Sequence, residues 1–157
     1  MTLYIKQHVF TWGDRFSIYD EGGREQFFVE GEIFSFGKKL HLLSLDGREL
    51  AFIYQKVFSF LPRYYVNCRG RDIAEIVRHF SFFNQKYSVN GLGWEVIGDF
   101  FAHEFEVHGG GRTIARVYKE WFTWGDTYAI EIATGIDEIA ALSVVLALDA
   151  IISADRN

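Results

Sequence analysis

The sequence predicts a mainly β fold: a closed antiparallel barrel of about twelve strands around a hydrophobic C-terminal helix. Composition, an internal repeat and the change of character at the end of the chain support this. Across 157 residues there are 16 Phe, 8 Tyr and 4 Trp, with 15 Gly and a single Pro. Aromatics favour strands and glycines supply the turns between them. The length suits one domain, 1–157, and 49% hydrophobic residues are enough for a sizeable core.

The repeat carries the most information. Phe10-Thr11-Trp12-Gly13-Asp14 recurs as Phe122-Thr123-Trp124-Gly125-Asp126, and Phe16 and Ile18 then correspond to Tyr128 and Ile130. Gly111-Arg112-Thr113-Ile114-Ala115, which leads into the second copy, has counterparts in Gly70-Arg71-Asp72-Ile73-Ala74 and Gly47-Arg48-Glu49-Leu50-Ala51. Downstream, without a gap, come an aromatic (Phe60, Phe83, Trp124), a tyrosine (Tyr64, Tyr87, Tyr128) and an aliphatic residue (Val66, Val89, Ile130). Each unit reads as two strands joined at the aromatic. The aromatic is therefore expected to anchor the turn or the core.

Taken along the chain, every second side chain is apolar in Arg15-Phe16-Ser17-Ile18, Arg63-Tyr64-Tyr65-Val66 and Thr127 to Ile132. This period of two marks strands with one face on a core. Phe28 to Gly31, Lys39 to Leu42 and Phe101 to Val107 read as further strands. Asp46-Gly47, Arg69-Gly70 and Gly110-Gly111 fall where hairpin turns are needed, because glycine tolerates positive φ. The strands span about residues 3–132.

The helix is expected over 136–153, with Thr134 and Asp137 resembling a capping box. From Ile139 to Ile152 it has no polar face, so it must be enclosed by protein or lie in a membrane. That stretch is about 21 Å long, short of a bilayer core of about 30 Å, and it contains Asp149. Enclosure by protein follows. Barrels of eight strands are filled by side chains alone, whereas larger ones hold a helix.

The paired F-T-W-G-D segments, the G-R-x-(Leu/Ile)-A lead-ins, the run from Gly98-Asp99-Phe100 to His103-Glu104-Phe105 and the hydrophobic end resemble the LURP-one-related family, in particular its compact bacterial YxjI-like members. The resemblance covers Leu3 to Ala154. It implies the tubby C-terminal-like fold, a twelve-stranded barrel around a central hydrophobic helix. Relatives in that superfamily include tubby domains, which bind phosphoinositides, and phospholipid scramblases. The resemblance implies no catalytic residues and no cofactor.

Charge narrows the partners. The chain has a net charge of −5, which argues against nucleic acid, whose binding requires neutralised phosphates. Arg48, Lys56, Arg63, Arg69 and Arg71 nevertheless face Glu49 alone between positions 48 and 71. These five are the candidate ligand-binding residues, suited to an anionic phospholipid headgroup or a protein. Membrane association is expected to be peripheral at most. A lone cysteine, Cys68, excludes an intrachain disulfide and suits a reducing, cytoplasmic compartment.

Catalytic patterns are weak. His103 and His108 are five apart on an expected strand and point to opposite faces, so they cannot share an ion; His103 is expected to turn inward and be hydrogen-bonded. Asp14 and Asp126 occupy equivalent places in the pentapeptides and are weak candidates for a metal, although two ligands are too few for calcium. The main expectation is a non-enzymatic binding or scaffold module. An enzyme with an acidic site near Asp14 and Asp126 is the alternative, and a scramblase-like membrane role is a third reading.

Overall fold

A run of antiparallel hairpins becomes a barrel when its first strand pairs with its last, and this chain closes in that way. The computed structural model describes residues 1–6, 15–32, 36–79, 86–100, 102–120 and 127–154. Both F-T-W-G-D segments, and with them Asp14, Asp126, Trp12 and Trp124, lie outside the described residues, as does Phe83.

The strands are β1 (Thr2–Lys6), β2 (Arg15–Tyr19), β3 (Glu25–Gly31), β4 (Lys39–Ser44), β5 (Glu49–Gln55) and β6 (Arg63–Cys68). They continue as β7 (Arg71–His79), β8 (Lys86–Asn90), β9 (Trp94–Asp99), β10 (Glu104–Gly109), β11 (Arg112–Glu120) and β12 (Thr127–Ile132). Helix α1 (Glu138–Ala154) follows. Each strand pairs with its sequence neighbours, and β1 closes the barrel on β12 with Leu3 opposite Ile130.

Alternation fixes which side faces in. In β6, Tyr64, Val66 and Cys68 are buried while Arg63, Tyr65 and Asn67 face outward. The short turns gather at one end of the barrel, here the turn end. There Arg69 and Gly70 take φ of 52° and 80°, and Gly110 and Gly111 take 58° and 76°, the left-handed pair that a tight hairpin requires. The register shifts beside four of these turns, in the β2–β3, β4–β5, β6–β7 and β10–β11 hairpins. The opposite end, the loop end, carries the other connections.

The repeat has a packing purpose. Its alanines, Ala51, Ala74 and Ala115, are buried on the inner face of β5, β7 and β11, and α1 lies against β5, β6, β7, β11 and β12. A small side chain at each position leaves the space that a helix fills. The helix is buried continuously from Ala141 to Ile152, as an element without a polar face must be. Among the described residues, no helix is long and apolar enough to cross a membrane.

Two local expectations are corrected. Asp137, not Thr134, caps the helix: the Ala140 N–H donates to Asp137 Oδ1 at 3.1 Å. The strand expected from Phe101 begins at Glu104, because His103 takes a left-handed φ of 57° that a strand does not accommodate.

The core makes a two-sided prediction. Leu146→Ala, at a side chain 1% exposed, should lower unfolding free energy by about 2–5 kcal/mol. Ala74→Leu should lower it by about 1–3 kcal/mol by crowding the helix. Urea denaturation measures both; a neutral Ala74→Leu would mean that the alanine does not define the helix seat.

Candidate functional site

The five cations of the 48–71 zone separate onto the two ends of the barrel. Arg48, Arg69 and Arg71 lie at the turn end, where Arg69 pairs with Asp137 at 3.3 Å beside the start of the helix. Lys56 and Arg63 flank the β5–β6 loop at the loop end, and Arg63 pairs outward with Glu75 at 2.7 Å. A six-residue strand such as β6 spans about 20 Å. The Debye length in physiological salt is about 8 Å, so the two groups do not act as one patch.

At the loop end, two connections form one protruding tip. The Gln55 N–H donates to the Lys38 carbonyl at 2.8 Å, and the Lys38 N–H donates to Gln55 Oε1 at 3.2 Å. Gly37, at φ 79°, completes the junction: a Cβ there would meet Val57 Cγ2 at 2.9 Å. The Lys56 N–H donates to the Arg63 carbonyl at 2.9 Å, which closes the base of the β5–β6 loop. A hollow of about 270 Å³ opens between these elements, with Lys56 among its walls.

Three phenylalanines stand out from this tip. Phe36, Phe58 and Phe60 are 78%, 95% and 99% exposed, and the rings of Phe36 and Phe58 are 6.3 Å apart. The expectation that the repeat aromatic anchors a turn or core is thus overturned at Phe60, the described member of that set. Phe58 moreover holds a φ of 62°, a conformation that costs an L-residue roughly 1–2 kcal/mol. Neither burial nor local geometry favours phenylalanine there. Positions 36–45 and 50–71 contain no acid, and the tip residues include Lys38, Lys39, Lys56 and Arg63. Lys39 reaches Glu32 at 3.6 Å, while Lys56 is exposed.

Inside the barrel, His103 turns inward from the β9–β10 turn. Its Nδ1 lies 3.0 Å from Asp149 Oδ1 on α1, and its ring meets Tyr128 edge-on. Asp149 Oδ2 is buried without a hydrogen-bond partner. Burial pushes the Asp149 carboxyl above the usual carboxylate range, although the hydrogen bond and charge of His103 oppose the shift. The motif from 103 to 108 is therefore two separate contacts, because His108 faces outward to Glu106 at 2.7 Å.

Other polar groups stabilise the wall. His41 bridges Glu49 and Glu32 at 2.6 and 2.8 Å and stacks on Phe52, which continues to Tyr54 and Tyr65. The Tyr54 hydroxyl donates to Asp72, and burial together with that bond pushes its pKa to about 12. Burial likewise raises the Cys68 thiol, next to Ser143, which leaves it a poor nucleophile. Among the described residues, no group of three or more His, Cys, Asp or Glu side chains is arranged to hold a metal ion.

A closed twelve-stranded antiparallel barrel filled by its own C-terminal helix defines the class of protein: a tubby-like barrel. Residues 1–149 match the family model LURP-one-related, and the chain belongs to that family. It is 35% identical over 155 residues to the Uncharacterized protein YxjI of Bacillus subtilis strain 168, covering 99% of this chain and 96% of that protein. Its fold is similar to the crystal structure of the Arabidopsis thaliana protein AT5G01750, with a TM-score of 0.67 at 15% identity, over 96% of this chain and 90% of the other.

Two predictions follow from this geometry. Phe58→Gly should raise stability by up to about 1 kcal/mol, since glycine removes the left-handed penalty and loses more backbone entropy in return. Chemical denaturation tests this, and a destabilised variant would show that the ring supports the fold. For Asp149, the folded pKa lies above the unfolded one. Its stability contribution is therefore complete below the unfolded value of about 3.9 and is lost as pH rises through the folded value. Wild type should lose stability relative to Asp149→Asn as pH rises from about 4. Urea midpoints across that range report it, and a wild type that gains on the variant would contradict the assignment.

Proposed function

We propose that the barrel is a non-catalytic docking module that attaches reversibly to an anionic phospholipid surface, at the cytoplasmic leaflet, through the loop-end tip. The observation carrying this reading is the charge of the tip: Lys38, Lys39, Lys56 and Arg63 outnumber the two carboxylates beside them, Glu32 on Lys39 and Glu75 on Arg63, on a chain of net charge −5. Lys56, on the wall of the hollow, is the residue assigned to a headgroup phosphate. Family resemblance to domains that bind phosphoinositides points the same way. Of the five cations in the 48–71 zone, Lys56 and Arg63 belong to this surface. Arg48, Arg69 and Arg71 do not.

The energetics suit attachment that is weak and sensitive to salt. Each Lys or Arg near an anionic bilayer contributes about 1 kcal/mol, and this falls off within a Debye length. A few such residues steer and hold the protein without anchoring it.

Co-sedimentation with vesicles tests the reading. Wild type should pellet with phosphatidylserine-containing vesicles at low salt, less at physiological salt, and little with neutral phosphatidylcholine. Lys56→Glu should weaken binding by about 5- to 30-fold, while Arg48→Glu with Arg71→Glu, at the other end, should leave it unchanged. Equal, negligible pelleting with both vesicle types would remove the lipid and favour a protein partner.

A further inference from the structure

We infer that Phe36, Phe58 and Phe60 form an aromatic wedge that inserts into the interfacial layer of an anionic bilayer once the tip has docked. This deepens the docking role and rests on it: the cations recognise the headgroups, and the rings enter between them.

Three observations converge on this occupant. The rings are 78%, 95% and 99% exposed, on two loops. Scattered exposed apolar residues need no explanation, but a group raised together on one tip marks a contact surface. The two loops are also joined at their bases. Bonds between Lys38 and Gln55, the last residue of β5, make the joint, and Phe36 and Phe58 meet across the two loops, which lessens the ordering left to do on binding. Finally, the chain holds Phe58 at φ 62° with its ring in solvent. Backbone strain held at a ring this exposed, its partner Phe36 lying on the same tip, is a feature of binding sites.

Charge selects the partner. The loops bearing the rings carry Lys38 and Lys56, with Lys39 and Arg63 at their bases, against Glu32 in the same loops, whereas the outer wall elsewhere pairs its charges one to one, as at Arg116 with Glu106. An apolar centre with a predominantly basic rim complements a surface that is negative outside and hydrocarbon beneath. Long Lys side chains can lie along the apolar layer while their ammonium groups stay at the phosphates. A second copy of this chain would bring the basic rims together and repel.

The two interactions are separable. Wild type, Lys56→Glu and the double variant Phe58→Gly with Phe60→Ser are compared by co-sedimentation with phosphatidylserine-containing vesicles at low and physiological salt. Thermal unfolding of each variant confirms the fold. Insertion is read directly from Phe60→Trp, whose added emission should shift to the blue on vesicle addition and be quenched by lipids brominated on their acyl chains. The double variant should lose at least about tenfold in affinity for each ring removed, at both salt concentrations. Salt-sensitive pelleting of wild type, matched by the double variant and without acyl-chain quenching at Trp-substituted position 60, would overturn the wedge and leave headgroup docking intact. Failure of wild type itself to pellet would overturn both, and sedimentation equilibrium would then show whether the rings join two copies instead.

Discussion

A helix with no polar face has to be surrounded, and the architecture of this protein answers that requirement. From Ala141 to Ile152 every residue of α1 is buried, so each direction around the helix axis needs an apolar wall. A sheet offers one apolar face; only a sheet curled on itself offers that face all round. The alanines at 51, 74 and 115 set the depth of the seat on the side where α1 lies. The bulky inward residues elsewhere, Phe16 and Phe105 among them, fill the remaining volume. Closure of β1 on β12 also removes the sheet edges that would otherwise be open to pairing.

Among the described residues of the helix, enclosure takes in two polar side chains, Ser143, which donates to the Ile139 carbonyl, and Asp149, near the loop end. Asp149 is carried into the interior by the helix and meets His103, which reaches in from a strained turn. One carboxylate oxygen is satisfied and the other is not. Such a group contributes little to stability, since desolvation offsets the attraction. Its visible effect is positional: it fastens the last turns of the helix to the β9–β10 turn.

The fold was legible in the sequence because it rests on periodicities. Alternation in Arg63 to Val66, the recurring glycine turns and the apolar run from Ile139 give strands, hairpins and an enclosed helix without any long-range information. The site was less legible. Lys56 and Arg71 are close in sequence, but one strand carries the chain from one end of the barrel to the other between them. Only counting hairpin ends would have separated them. Phe60 misled for a different reason. Its place in the repeat matches Phe83 and Trp124, yet equivalence within a repeat specifies backbone position, and the ring at 60 points away from the core. The partnership of His103 with Asp149 joins residues 46 apart and carries no local signature.

The pairing of β1 with β12 and the placement of α1 have a consequence for how the chain is made. The first strand cannot find its partner until β12 has been made, nor the barrel its filling until α1 has followed. Contacts between segments so far apart in sequence slow folding, because chain closure must precede the contacts that reward it. During synthesis the growing hairpins expose an inward apolar face with nothing yet to cover it. Such intermediates are prone to aggregate. Within this fold α1, made after all twelve strands, is the segment that covers that face.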